Sequence, residues 1–311
     1  MRCLLVGNYG VRNIGDEALR EYFIAAFPDV YWTVLGVDVP RLPFGFRSFF
    51  TSWLRTISAI RRSDAVVFGG GSLFTDSESV FACVLWWWHG FVARILGKPL
   101  FLAFQGVGPF RTSFAQLLAR STFEKALFVS VRDEASLKRI ERWNLRSKPI
   151  LTFDPVFALF STKKPTKQQK RILAVIPRAN SDDAFFVAVS SLLLKPFDEV
   201  RILLMQPDSC EQRIAARIQA MTTVPSVTIS VTSVDQLLTE VAGVGEVISQ
   251  RYHGALAARA MGIDASVIPQ SAGDKLDELR KLPKNSEERS RLLGFVEEGK
   301  KSLLKALAVV G

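Results

Sequence analysis

The chain has 311 residues, 48% of them hydrophobic and 23% charged, and a formal net charge of +10. That length exceeds one ordinary core and suits two domains, and the composition excludes a disordered polar chain. A basic surface favours phosphorylated substrates, anionic lipid or nucleic acid, but no nucleic-acid-binding motif is present.

Cys3, Cys83 and Cys210 lie far apart, without metal-ligand spacing, so no metal site is expected. Cys3 and Cys83 sit in apolar runs and read as buried, inert thiols of a reducing cytoplasm. The opening MRCLLVGNYG reads as a strand and a turn rather than a signal peptide.

Taken in chain order, short all-apolar runs fall at 3–7, 32–36, 65–70, 100–106, 127–133 and 150–155, with helical patterns between them. Runs without polar alternation predict strands covered on both faces, hence a βαβ series and a parallel sheet. Residues 41–62 mix Phe46, Phe49, Phe50, Trp53, Leu54, Ile57 and Ile60 with Arg47, Arg55, Arg61 and Arg62. They read either as a basic helix at an anionic membrane or as a crossover helix burying its apolar face. The stretch 81–96 is too short to span a bilayer, and Trp86, Trp87 and Trp88 are too consecutive to share one face.

Residues 161–171, STKKPTKQQKR, read as a linker. The strand pattern then restarts at 172–177, 200–206, 227–231, 246–250 and 265–269, and a last helix is expected over 286–309. The prediction is an α/β chain of two Rossmann-like domains, 1–160 and 172–311, facing each other across a cleft.

Ligands of such sheets bind outside the carboxyl ends of the strands, so the residues after each strand carry the functional expectations. After the first strand, Gly7, Gly10 and Gly15 permit a tight loop, and Asn13 or Asp16 suits the cap of a helix starting near 16. The spacing matches neither the dinucleotide fingerprint nor a P-loop; an anion- or hydroxyl-binding nest and a plain structural turn both fit. Further along come Gly69, Gly70, Gly71, Ser72 and Asp76, then Gln105 and Gly106, then Arg132 and Asp133, then Asp154. Arg132 and Asp133 are expected to pair or to cap the next helix. In the second half the strand ends supply Arg178 and Asn180, Gln206 and Asp208, Arg251 and His253, and Lys275. Three cations and an imidazole on one sheet edge suit a small, multiply charged anion.

Six segments in order, GNYGVRNIGDEAL, FGGGSLFTD, FQGVGP, SVRDEAS, FDPVF and RYHGALAARAMGI, together resemble the polysaccharide pyruvyl transferase family, and Lys275 matches a further family lysine. The chain departs from the bacterial cell-wall members in having Tyr252 where they usually carry leucine, and RAN after Pro177 where an Arg-Pro pair is common. The resemblance implies a GT-B-like pair of domains, phosphoenolpyruvate as co-substrate without a further cofactor, and a sugar of a surface polysaccharide or its lipid-linked precursor as acceptor. The product that the resemblance implies is a pyruvate ketal.

On this reading Arg178, Arg251 and Lys275 bind phosphoenolpyruvate, with His253 as the acid/base and Arg251 beside it in catalysis. Asn13, Asp16, Ser72 and Gln105 are the acceptor-side candidates, and Asp16 is also a candidate second base. Tyr252 is expected to point into packing. A lipid-linked acceptor would make contact with the inner face of an anionic membrane sensible. The rivals are a GT-B nucleotide-sugar glycosyltransferase, for whose ribose Glu246 is badly placed, and a non-catalytic anion-binding or assembly protein.

Overall fold

The computed structural model describes residues 1–11, 13–39, 46–77, 79–166, 170–270 and 275–310, with the backbone alone for 46–51. The chain forms two compact units. One comprises Met1–Val11, Ala18–Val156 and Leu292–Gly311; the other comprises Arg12–Glu17 and Phe157–Arg291.

The first unit is built on β1 (Arg2–Val6), β2 (Tyr31–Val34), β3 (Ala65–Phe74), β4 (Leu100–Val107), β5 (Phe128–Val131) and β6 (Ile150–Leu151), all parallel in the order β2-β1-β3-β4-β5-β6. Every residue of β1 after Arg2 and every residue of β4 is buried, as unbroken apolar runs require of strands covered on both faces.

The helices are α1 (Ile14–Ala26), α2 (Phe46–Arg62), α3 (Val80–Ile95), α4 (Ser113–Phe123) and α5 (Glu134–Ile140). Right-handed crossovers put α2 to α5 on one face, because β2→β3, β3→β4, β4→β5 and β5→β6 all step the same way, and α1 on the other. Ala59, Ile60, Trp86, Ala93, Ala119, Phe123 and Ile140 accordingly share one core with the strands. On α1's face Phe23 packs with Tyr22, Phe27, Trp32 and Phe104 at ring separations of 5.6 to 6.1 Å.

The second unit carries β7 (Ile172–Ile176), β8 (Glu199–Leu204), β9 (Ser226–Ser230), β10 (Glu246–Ser249) and β11 (Asp264–Val267), parallel in the order β11-β10-β7-β8-β9. A short helix, α6 (Val156–Phe160), precedes them. Helices α7 (Asp183–Leu193), α8 (Ser209–Met221), α9 (Val234–Ala242), α10 (Tyr252–Met261) and α11 (Lys275–Lys281) connect or follow the strands, and α12 (Ser286–Ala308) ends the series.

All eleven expected strands are present. β3 runs four residues past the predicted end, to Phe74, and β6 is only two residues long. The domain bounds differ from the sequence reading. The first unit's second segment ends at Val156, and residues from Leu292 onward group with the first unit rather than the second. The cause is packing: a Cβ on Gly299 of α12 would lie 2.6 Å from Thr152 and 2.7 Å from Phe104. Part of the expected linker, 167–169, lies outside the described residues. Its neighbours are held on the second unit, with Lys163 3.9 Å from Asp235 and Thr166 N–H bonded to the Ala242 carbonyl at 2.8 Å. Among the described residues no helix is long and apolar enough to cross a membrane.

Candidate active site

The order of the second sheet reverses at one place. From β7 the chain steps outward to β8 and β9, then returns to the other side of β7 as β10 and β11. The carboxyl ends of β7 and β10 therefore flank a topological switch point, the usual ligand crevice of an open α/β sheet. Arg178 lies two residues past β7, and Gln250, Arg251 and His253 directly follow β10.

The two arginines reach across this edge in opposite directions. Arg178, after β7, donates from Nη1 to Gln270 Oε1 beyond β11 at 3.0 Å, and Gln270 Nε2 donates to the Asn180 carbonyl at 2.9 Å. Arg251, after β10, reaches over β7 to the other side. Its Nη2 is ion-paired and hydrogen-bonded to the carboxylate of Glu211 in the first turn of α8. Glu211 is fully buried and also accepts from Gln206 N–H at 3.0 Å. Burial pushes its carboxyl above the ordinary range, against the lowering pull of Arg251 and of that N–H. A buried carboxylate this close fixes the Arg251 guanidinium and offsets part of its charge. Arg251 Nε is buried and has no partner among the described residues.

Gln250 completes the floor. Its N–H continues the ladder to the Ile176 carbonyl at 3.0 Å, and its Nε2 donates to Asp182 Oδ1 at 3.1 Å. Asp182 in turn caps α7 through Phe185 N–H at 3.0 Å. Gln250 Oε1 is buried without a partner among the described residues.

Arg251 occupies the N-cap of α10 in extended conformation, which places His253 in that helix's first turn at its positive end. Tyr252 is buried, as expected, and packs edge-on to His253 at 5.2 Å. Small residues let α10 lie close on the sheet: a Cβ on Gly254 would come within 2.8 Å of Ile176, and Ala255, Leu256, Ala257 and Ala258 are fully buried. Lys275, at the start of α11, is exposed and holds its Nζ 5.2 Å from the Tyr252 ring centroid.

Gly15 belongs to a helix rather than to the expected loop. It lies in the first turn of α1, and a Cβ there would stand 2.6 Å from His253 Cγ and closer still to Nδ1 and Cε1. The imidazole thus packs directly on the Gly15 backbone. Asn13 is the cap of α1: its Oδ1 accepts from Gly15 N–H at 3.1 Å and its carbonyl from Asp16 N–H at 3.0 Å. Asp16 follows in the first turn.

The remaining acceptor-side candidates sit in the first unit. Ser72 Oγ accepts from Arg132 Nη2 at 2.7 Å, and Arg132 Nη1 donates to the fully buried Asp154 at 2.6 Å. Asp133 caps α5 through Ser136 N–H, so the expected Arg132–Asp133 pairing is the weaker contact, at 3.8 Å. Gln105 is fully buried and donates both amide hydrogens to backbone carbonyls, of Phe68 and Ala103, at 3.0 Å. At the carboxyl end of β1, Gly7 and Gly69 leave room for the Tyr9 ring, whose hydroxyl donates to the Gly69 carbonyl at 2.8 Å. That favours the structural reading of the first glycine loop.

Glu211 escaped the sequence reading because Asp208-x-x-Glu211 looks like an ordinary helix-start pattern, and Asp208 does cap α8. Among the described residues no cluster of three or more His, Cys, Asp or Glu is arranged to hold a metal ion.

A family model described as polysaccharide pyruvyl transferase matches residues 13–271. A search of curated proteins by sequence found no match. Among solved structures the chain is similar to a UDP-GlcNAc 2-epimerase from Methanocaldococcus jannaschii, with TM-score 0.60, 11% identity and 99% of each chain covered. It is also similar to HepE of Anabaena in complex with UDP-glucose, with TM-score 0.60, 10% identity, and 99% of this chain and 100% of that one covered. Sucrose-phosphate synthase from Thermosynechococcus elongatus gives TM-score 0.60, 12% identity and full coverage of both chains. At these identities the likeness speaks to fold alone, two parallel-sheet α/β domains of the GT-B class.

Proposed function

The chain belongs to the polysaccharide pyruvyl transferase family, and from that premise we propose that it transfers the pyruvyl group of phosphoenolpyruvate to two hydroxyls of a saccharide. The observation that carries this reading is the switch-point edge of the second sheet. There a guanidinium held by a buried carboxylate stands two residues from an imidazole at a helix N-terminus.

Phosphoenolpyruvate brings a carboxylate and a phosphate, and the guanidinium fork suits both. Arg251 offers the donors that Glu211 leaves over, Arg178 a second fork, and Lys275 a point charge beside Tyr252. The N-terminus of α10 adds positive potential for the phosphate. His253 moves protons. The methylene carbon gains a proton and becomes methyl, which makes C2 electrophilic. One sugar oxygen bonds to C2 as it loses its proton, and the C2–O bond to phosphate breaks. A second sugar oxygen then bonds to C2 and closes the ketal. Of the two hydroxyl protons, one is balanced by the new methyl hydrogen and the other by the phosphate released. No oxidant, metal or further cofactor enters this balance. Asn13, Asp16, Ser72 and Gln105 remain the acceptor-side proposals. The full burial of Gln105, and the bond that half-buried Ser72 accepts from Arg132, favour a supporting role for them over direct sugar contact.

The test is incubation with phosphoenolpyruvate and a saccharide panel, read by mass spectrometry for the pyruvyl increment, alongside phosphate release by His253→Ala and Arg251→Ala. General acid–base catalysis contributes roughly 10²–10⁴-fold, so His253→Ala is expected to lose at least about a hundredfold in turnover. Near-wild-type turnover would remove His253 from the mechanism. The nucleotide-sugar rival predicts that UDP-sugars, not phosphoenolpyruvate, raise the melting temperature. Glu246 does not support that rival: it opens β10 at the opposite end from the switch point, with Lys195 Nζ 2.8 Å away.

A further inference from the structure

Three neighbouring helices of the first unit, α2, α3 and α4, turn a basic and aromatic face to solvent. We propose that this face docks on the surface of an anionic lipid bilayer. The inference rests on surface chemistry alone and not on the transfer reaction.

The helices lie side by side on one face of the sheet. Trp53 of α2 meets Trp88 of α3 at a ring separation of 4.0 Å. Gly90 of α3 lets α4 approach closely, since a Cβ there would stand 2.8 Å from Thr122. Their inner sides fill the core with Ile60, Trp86, Ala93 and Phe123. The crossover reading of residues 52–62 is therefore correct for the inner side; residues 41–45 and the side chains of 46–51 lie outside the described residues.

The outer sides carry what the core does not use. Among the described side chains of α2 the exposed ones are Leu54, Arg55, Arg61 and Arg62, a single helical face. On α3 Phe81 and Ile95 are exposed and Trp87 and Phe91 half-buried along one strip, with Trp87 stacked on Phe91 at 5.0 Å and the Arg94 guanidinium 5.3 Å from the Phe91 ring centroid. Leu54 is 66% exposed, Phe81 55% and Ile95 66%, and α4 adds Phe114 at 54% and Leu117 at 60%. Large apolar side chains at such exposure on three adjoining helices suit a contact surface.

Charge selects the occupant. The three helices hold four arginines in α2 and one each in α3 and α4, with no Asp or Glu within them; Arg120 of α4 is ion-paired with Glu124, just past that helix, at 2.7 Å, so the surplus charge lies on α2 and α3. A second copy docked on this face through a two-fold axis would set like charges against each other. A bilayer with anionic headgroups takes the aromatic and aliphatic tips into its interface while the arginine stems lie along them and the guanidinium groups meet phosphate.

The experiment is flotation of the full chain with phosphatidylcholine vesicles, with and without phosphatidylglycerol, at low and high salt. Binding is expected only to the anionic vesicles and is expected to weaken with salt. Each basic residue near such a surface is worth about fivefold in partitioning. The triple variant Arg55→Glu/Arg61→Glu/Arg62→Glu should therefore lose at least about a hundredfold. Leu54→Ser/Phe81→Ser/Ile95→Ser should lose binding even at low salt, with an unchanged melting temperature as the control for folding. Absence of binding to anionic vesicles, equal binding to neutral ones, or wild-type binding by both variants would overturn the proposal. So would a dimer that the serine variant converts to monomer, because a second copy would then cover the face.

Discussion

Replacing Gly15 with alanine tests the placement of His253 without touching its chemistry. The added carbon would stand 2.6 Å from His253 Cγ and closer to two other ring atoms. Carbon atoms pack at about 3.5–4.0 Å, so the ring must retreat by roughly 1 Å or more. A side chain can make that move at modest expense, and alanine in the first turn of α1 recovers up to about 1 kcal/mol of helix propensity. The net stability change should therefore stay within roughly 1–2 kcal/mol. Catalysis is less tolerant, because a displacement of about 1 Å can cost about a hundredfold in rate. Phosphate release by Gly15→Ala should thus fall toward the level of His253→Ala while the melting temperature changes little. The double variant Gly15→Ala/His253→Ala should be no slower than His253→Ala alone, since both act through one ring. Wild-type turnover by Gly15→Ala, or additive losses in the double variant, would mean that Gly15 does not act through the His253 ring.

Three further outcomes follow from the same structure. Arg251→Ala leaves Glu211 buried without its cation and should cost about 3–5 kcal/mol in chemical denaturation; adding Glu211→Gln should restore much of that stability while turnover stays lost. Asp76 is buried, and burial opposes its ionisation, but hydrogen bonds from Arg111 N–H and from the hydroxyl and N–H of Thr112, at 2.6 to 2.8 Å, hold its carboxyl below the ordinary range. A depressed carboxyl contributes stability that is present above the unfolded value near 3.9 and lost as pH falls through the folded one. Asp76→Asn should accordingly be less stable by about 2 kcal/mol at neutral pH, and the gap should close in acid when both proteins are unfolded across a pH series. Burial pushes the Cys3 thiol up to about 12 and that of Cys83 up to about 11, whereas Cys210 is partly exposed. Iodoacetamide at mildly alkaline pH should label Cys210 alone in the native protein; peptide mapping that finds label on Cys3 or Cys83 would contradict the packing.

The strands, and the sheet edge that bears the candidate residues, are legible in the apolar runs alone. Unbroken apolar runs such as CLLV and ILAVI admit little besides strands buried on both faces. The parallel βαβ arrangement then puts Arg178, Arg251 and His253 after their strands at one end of the second sheet. Local spacing also decided that Tyr252 is buried while His253, one residue on, is only half-buried. Tertiary structure alone decided what holds these groups. Arg251 reaches over β7 to Glu211, 40 residues away in sequence, and His253 rests on Gly15 from near the other end of the chain. Tyr9 likewise fits between Gly7 and Gly69, and Gly299 of α12 packs on Phe104. Such contacts depend on which way a side chain leaves its helix or strand and on which elements the sheet order makes neighbours. Neither is written in the periodicity of a single segment, because periodicity encodes which face is apolar and not what lies against it.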